Sequence, residues 1–272
     1  MVENQFIDLN KNYFDAEVRA LDFRKPEAIR IINSWVNSKT SGKIKDVINY
    51  IDESTMLFLI NAIYFKSNWT YEFNKNLTKD DYFNLTDGSK LSCKMMNQSG
   101  DISYFETSEF QAADLPYSNR QFHMSIFLPK EYISIDSVIA TWNPINWKIW
   151  VSQFRTTFGN LSLPKFKLEY RLSLVNTLKS MGMEIAFNPE QADFTNINPN
   201  DNLFIDEVLH KTYVNVDEEG TEAAAVTAIS IGITSIGPSG FVMRVDRPFM
   251  FVIWESQSNT ILFLGKIVSP SI

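Results

Sequence analysis

The sequence predicts an α+β fold built on several mixed or antiparallel sheets, and three observations predict it. Apolar runs rich in β-branched and aromatic residues, such as "STMLFLINAIYFKSNW", recur from one end of the chain to the other. A few segments with helical spacing lie between them, without the strict alternation that βαβ units require. No internal repeat or low-complexity linker divides the chain, so residues 1–272 read as a single domain. The content of 44% hydrophobic and 21% charged residues suits a globular chain with a sizeable core, and 21 phenylalanines predict that this core is aromatic-rich.

The elements follow in order. "FIDLNKNYFDAEVRALDF" reads as the tail of a helix, a turn and a strand centred on Val18 to Phe23. "KPEAIRIINSWVNSKTSGKI" is an amphipathic helix: Pro26 starts it, Ile29, Ile32, Trp35 and Val36 share a face, and Gly42 ends it. "STMLFLINAIYFKSNW" predicts a central strand buried on both faces. In "DYFNLTDGSKLSCKMMNQSGDISYFET" the pairs Asp87-Gly88 and Ser99-Gly100 signal hairpin turns. "FQAADLPYSNRQFHMSIFLPK" gives two strands around a polar turn at Ser118 to Arg120. Residues 131 to 158 are read as helical, "NLSLPKFKLEYRLSL" as strand and "SLVNTLKSMGM" as a short helix. "ADFTNINPND" is a loop, and "LFIDEVLHKTYVNVDEEG" starts as turn or helix and ends as strand. "FVMRVDRPFMFVIWES" and "TILFLGKIVSP" supply the last apolar strands.

Several chemistries find no support. The net charge of −7, with Lys and Arg scattered, argues against nucleic acid or an anionic membrane as partner. No apolar stretch is long enough to span a bilayer, and "MVENQFIDLN" does not read as a signal peptide. Cys93 is the only cysteine, so no internal disulfide forms, and its alternating surroundings predict a structural thiol. Sequons at Asn68, Asn76, Asn84, Asn97 and Asn160 are weak evidence in an Asn-rich chain. No metal-ligand spacing, G-x-S-x-G elbow, dinucleotide fingerprint or P-loop occurs, so neither metal, cofactor nor enzymatic activity is expected. His123 reads as a strand-surface residue.

One stretch stands apart: "EEGTEAAAVTAISIGITSIGPSG", residues 218 to 240. It carries no charge between Glu222 and Arg244 and no aromatic residue before Phe241. Taken alternately, Thr221, Ala223, Ala225, Thr227, Ile229, Ile231 and Ile233 form a set fit for the core face of a sheet. Gly220 supplies a hinge, and Gly232, Gly237, Pro238 and Gly240 break the far end. The pattern suits a segment that is exposed first and inserted later.

With that stretch, the strings "NAIYFKSNW", "LPYS", "MSIFLP", "LPKFKLEYRLSL", "VLHKTYVNVDEEGTEAAA", "DRPFMFVI" and "ILFLGKIVSP" stand in one order, and the whole chain resembles the serpins. The resemblance implies a domain of three β-sheets with surrounding helices. It implies that this domain is incomplete at its amino end, lacking the N-terminal helices and two strands. It makes residues 218–243 a reactive-centre loop, with Glu219, Gly220, Thr221, Glu222, Ala223, Ala224 and Ala225 as its hinge. A protease attacks such a loop, forms an acyl-enzyme, and is disabled as the cut loop joins the main sheet. The flanking strands would be those through "NAIYFKSNW" and "HKTYVNV".

The same resemblance puts the reactive bond between Thr234 and Ser235, with Ile233 or Ile236 as alternatives. It assigns Asn61 and His210 to the point where the sheet opens and Trp69 to the loop's entry. It makes Pro248 and Phe249 anchors beyond the loop, with Arg247 a surface charge. Small apolar residues around the bond point to an elastase-like serine protease, or next to a papain-like cysteine protease reading one place upstream. The resemblance further implies a monomer, outside the cell by the family's habit, with the cytoplasm as the alternative. A fold-preserving binding protein that does not inhibit is the second functional reading.

Overall fold

The computed structural model describes residues 2–118, 120–221 and 240–270. Five α-helices occur among them: α1 (Asn4–Phe14), α2 (Pro26–Lys39), α3 (Ile135–Ala140), α4 (Pro144–Gln153) and α5 (Val175–Ser180). The strands begin with β1 (Leu57–Tyr64), β2 (Ser67–Asn68), β3 (Lys79–Asn84), β4 (Lys90–Glu106), β5 (Phe110–Pro116) and β6 (Phe122–Pro129). They continue with β7 (Arg155–Pro164), β8 (Phe166–Ser173), β9 (Ile205–Val216), β10 (Gly220–Thr221), β11 (Phe241–Arg244), β12 (Phe249–Glu255) and β13 (Ile261–Ile267). The chain divides into two compact units, one of residues 1–64 and 169–213, the other of residues 65–168 and 214–272.

In the first unit β1 and β9 pair in parallel, from Leu57 opposite Ile205 to Tyr64 opposite Tyr213. Helix α2 forms as its sequence dictates: Pro26 occupies the first turn, where its missing N–H costs nothing, and Gly42 takes a φ of 80° just past the end. Its Ile32 and Val36 pack with Ile44, Val47, Ile48 and Ile51 against Leu209 and Tyr213 of β9. Asn33 fixes the following loop, accepting from the N–H groups of Val47 and Ile48 and donating to the Ile48 carbonyl. A second cluster packs Phe187, Ile205 and Val208 with Leu174 and Leu178.

Two expectations fail in this unit. Residues 16–22 have no regular structure, because no described strand offers them a ladder and an unpaired strand is not stable alone. Strand β1 is not buried on both faces: Asn61 is exposed and Leu59 is 42% exposed. Among the described residues β1 pairs with β9 alone, so it is an edge strand in spite of its apolar run.

The second unit holds a sheet in the order β11-β7-β4-β5-β6-β12-β13, with β3 added on β4. Asp87-Gly88 makes the expected β3–β4 turn, with Gly88 at φ 84°. Ser99-Gly100 makes none. β4 runs on for 17 residues because β7 pairs with it continuously from Met95 opposite Pro164 to Tyr104 opposite Arg155. That unbroken strand joins β3, β7 and β11 to β5, β6, β12 and β13, so among the described residues the three sheets that the resemblance implies form two hydrogen-bonded networks. The helical stretch read as 131–158 ends at Gln153, and β7 starts two residues later. The stretch opening at "LFIDEV" is strand from Ile205 onward, not helix.

Helices α3 and α4 contribute Ile135, Val138, Trp147 and Trp150 to a core with Phe105, Phe110, Phe127, Met250, Val252 and Trp254. Phe127 sits among Phe110, Trp142 and Trp150 at ring separations of 5.4 to 5.8 Å. Its side chain is wholly buried. Phe127→Ala is expected to lower unfolding free energy by about 3–5 kcal/mol, read from denaturant titration, since cavity and lost transfer energy add.

Candidate functional site

The described part of the candidate loop is its two ends. The amino-terminal root, Asp217–Thr221, emerges directly from β9 with three carboxylates in five residues; Asp217 is half-buried, while Glu218 is 6% exposed, Glu219 9% and Thr221 0%. Each buried polar group has a partner, as burial demands. The Trp69 and Phe73 N–H groups donate to the Glu219 and Glu218 carbonyls, both at 2.9 Å. Glu218 accepts from Lys165 at 2.7 Å and from the Thr78 hydroxyl at 2.9 Å, and Glu219 pairs with Lys75. The Asp217 carboxylate accepts from the N–H groups of Glu219 and Gly220.

Gly220 and Thr221 form β10, laid antiparallel on Asn68 and Ser67 of β2, with Thr221 also opposite Val216. Gly220 has a φ of 151°, and a Cβ there would overlap the Ser67 carbonyl oxygen and the Asn68 backbone. Only glycine permits this approach. One residue on, the Thr221 hydroxyl meets Tyr117 OH at 2.6 Å. Tyr117 is fully buried and stacks on Trp69 with ring centroids 4.5 Å apart, and the Trp69 indole N–H donates to the Asp217 carbonyl at 3.0 Å. Trp69 therefore serves core packing and grips the root at once.

The carboxyl-terminal root is Gly240 and Phe241. Phe241 stacks on Tyr104 at 3.9 Å with the rings nearly parallel, and its ring occupies the space a side chain at Gly159 would need. Gly240 runs so close to Phe158 that a Cβ would strike its carbonyl oxygen. Beyond it, β11 pairs in parallel with β7. Phe249 is fully buried between Phe83 and Phe166. Arg247 is not a free surface charge. It donates twice to the Pro129 carbonyl, at 3.0 and 2.7 Å, and pairs with Asp246.

In the first unit the register of β1 and β9 places Asn61 opposite His210. The imidazole does not bond the amide. His210 Nε2 meets the Thr212 hydroxyl at 2.8 Å, and the buried Nδ1 has no partner among the described residues. Thr234, Ser235, Ile233, Ile236 and the hinge residues Glu222, Ala223, Ala224 and Ala225 lie outside the described residues. Cys93 is buried, and burial pushes its thiol up. Among the described residues no group of three or more His, Cys, Asp or Glu could hold a metal ion, and no helix is long and apolar enough to cross a membrane.

The root's carboxylates titrate in opposite senses. Burial works against ionised Glu218, but Lys165, its own backbone N–H and Thr78 outweigh burial and hold it below the usual glutamate value. Its contribution to stability is present above the unfolded value near 4.3 and lost as pH falls through the folded one. Burial raises Asp217, against the pull of the Glu219 and Gly220 N–H groups, so its cost at neutral pH is relieved by acid.

Residues 1–270 match the family model described as serpin, serine protease inhibitor. An uncharacterised serpin-like protein of Thermococcus kodakarensis is 33% identical over 99% of this chain, which spans 63% of that relative's length. The thermophilic serpin tengpin in its native state superposes with a TM-score of 0.91 at 33% identity, over 99% of this chain and 70% of that one. Thyroxine-binding globulin in complex with thyroxine superposes at 0.90 with 29% identity, over 100% of this chain and 72% of that one.

Two outcomes follow for the root. Gly220→Ala is expected to cost roughly 1–3 kcal/mol in a thermal melt, because the strained φ and the overlap cannot both be relieved. Glu218→Gln is expected to lower stability by about 1–3 kcal/mol near neutral pH, with the difference from wild type shrinking as pH drops below about 4.

Proposed function

This chain belongs to the serpin family, and from that premise we propose that it traps an elastase-like serine protease as a suicide substrate. The family is that of serine protease inhibitors. The observation that carries the proposal is the buried root: Gly220 and Thr221 are already paired as a strand, while β1 and β9 are zipped directly to each other. A loop that starts as a strand at Thr221 has its continuation in register-ready sequence, alternating small and apolar through Ile233.

In the proposed sequence of events the protease serine attacks the carbonyl of Thr234, the bond to Ser235 breaks, and the leaving amine departs with the β11 side. The acyl-enzyme remains on the β9 side. Freed from its distal tether, the segment after Thr221 runs antiparallel to β1 and β9 and separates them. The ladder between them is replaced by one on each side of the new strand. Burying Ile229, Ile231 and Ile233 contributes roughly 1.5–3 kcal/mol each. The net gain in ladder bonds adds about 0.5–1.5 kcal/mol apiece. The sum is on the order of a domain's stability, about 5–15 kcal/mol, enough to disorder part of a tethered protease.

Composition sets the target class. Between Glu222 and Met243 there is no Arg, Lys or Asp, so neither an acidic nor a basic specificity pocket is served. Ile, Thr and Ser suit a shallow apolar pocket, and a papain-like cysteine protease is the second choice. The thyroxine complex of a relative that this chain matches over its full length favours one other reading, a binding protein that does not inhibit.

Incubation with an elastase-type protease separates the two. The proposal expects a covalent complex that survives SDS and carries both proteins. Clean cleavage without a complex supports the binding-protein reading. Thr221→Arg should convert trapping into turnover, raising the inhibitor consumed per protease roughly tenfold or more. A charge cannot enter the site where Thr221 is fully buried against Tyr117 without a large desolvation cost.

A further inference from the structure

A second polar chain runs through the second unit, beside the root. Trp254 on β12 donates its indole N–H to the Ser125 hydroxyl on β6 at 2.9 Å. Ser125 donates to Asp114 Oδ1 on β5 at 2.6 Å. The other oxygen, Asp114 Oδ2, lies 2.6 Å from His123 Nδ1, and His123 Nε2 lies 3.1 Å from the Arg120 carbonyl oxygen, which also accepts from the Ser256 hydroxyl at 3.1 Å. Asp114 is 4% exposed and Ser125 0%. The imidazole tilts over the Trp254 ring with centroids 5.0 Å apart, so His123 is half-buried and hydrogen-bonded to Asp114 rather than a surface residue of its strand.

Every proton direction in this chain is fixed except one. Trp254 can only donate, which leaves the Ser125 hydroxyl to donate onward to the carboxylate. A carbonyl can only accept, so both imidazole nitrogens face acceptors. Only a doubly protonated ring satisfies both, and a neutral ring leaves a bare Nε2 against the lone pairs of the Arg120 oxygen.

The Arg120 backbone connects this ring to the loop. Arg120 is held at φ 55°, and its N–H donates to the Tyr117 carbonyl at 2.6 Å. Its guanidinium donates to Tyr71 OH at 2.9 Å and lies over the Tyr71 ring. Tyr117 binds Thr221 directly, and Tyr71 lies between Trp69 and Phe73, whose N–H groups hold the root. We propose that the His123 imidazolium is a proton-operated latch on the loop root: charged, it pins Arg120 and through it Tyr117 and Tyr71, and neutral, it lets residues 217–221 loosen.

The charged groups facing the ring are Asp114 from β5 and the Arg120 side chain from the β5–β6 connection. β6 presents Ser125 and β12 presents Trp254, neither charged, and the neighbouring Glu255 carboxylate turns away to Gln257 and Ser258. Burial and the Arg120 charge work against the protonated ring, but the Asp114 hydrogen bond and charge, with the Arg120 carbonyl, hold its proton to a pH above the ordinary histidine value. The latch is therefore closed below about pH 6.5 and opens as pH rises through the folded value. It rests on reading residues 217–221 as the root of the inhibitory loop, and its test reads the root itself, so it fails or stands without any protease.

Hydrogen–deuterium exchange of residues 217–221 between pH 6 and pH 9, corrected for the intrinsic pH dependence, is the experiment. Wild type should lose protection roughly tenfold across that range, the loss of one hydrogen bond to a charged group. His123→Gln should show the loosened level at every pH. Unchanged protection in wild type, or a His123→Gln profile that follows wild type, overturns the latch. Imidazole 15N shifts of the wild-type protein give a reading that needs no variant: both His123 nitrogens protonated at pH 6 is the expected result, and a bare nitrogen at pH 6 refutes it.

Discussion

The parallel ladder between β1 and β9, eight residues long with Asn61 opposite His210, is the interaction on which the proposed inhibitor turns. Those strands bond each other directly. In the proposal, once they part each needs a new partner, and the alternating sequence from Thr221 to Ile233 would supply one. His210 sits in this ladder and bonds the Thr212 hydroxyl of its own strand.

The two roots share one device, close backbone contact allowed by glycine and covered by an aromatic stack. Gly220 lies on β2 beneath the Trp69–Tyr117 pair, and Gly240 lies on β7 beside Phe241, Gly159 and Tyr104. In the proposed mechanism these two ends tether the uncut loop. Cutting it releases one end while the other stays in strand geometry at Thr221. The protonated His123 adds a third grip through Arg120, acting on the same tyrosine that holds the threonine.

Much of this was legible in the sequence where the signal is local. The helix from Pro26 and the turn at Asp87-Gly88 each rest on neighbours a few residues away, and the structure has both. The chain's resemblance to serpins carried the fold. What stayed hidden depends on partners far along the chain. Tyr117 meets Thr221 across 104 residues, and Trp254 meets Ser125 across 129, so no periodicity announces either. The same cause explains the misreadings. β1 looks like a central strand but has one described neighbour, Val18 to Phe23 look like a strand but have none, and Ser99-Gly100 looks like a turn but is straightened by β7. The readings of His123 as a strand-surface residue and of Arg247 as a surface charge missed their partners because Asp114 and the Pro129 carbonyl come from other strands.

Thermal melting of the intact chain beside the same chain cut once within residues 222–239 tests the central claim most directly. If the loop joins the sheet on cleavage, the transition should rise by at least about 10 °C, the shift expected when several kcal/mol are added to a protein of this size. An unchanged or lowered transition after cleavage would mean that the released segment gains nothing between β1 and β9, and the account of a spring-loaded inhibitor would be wrong.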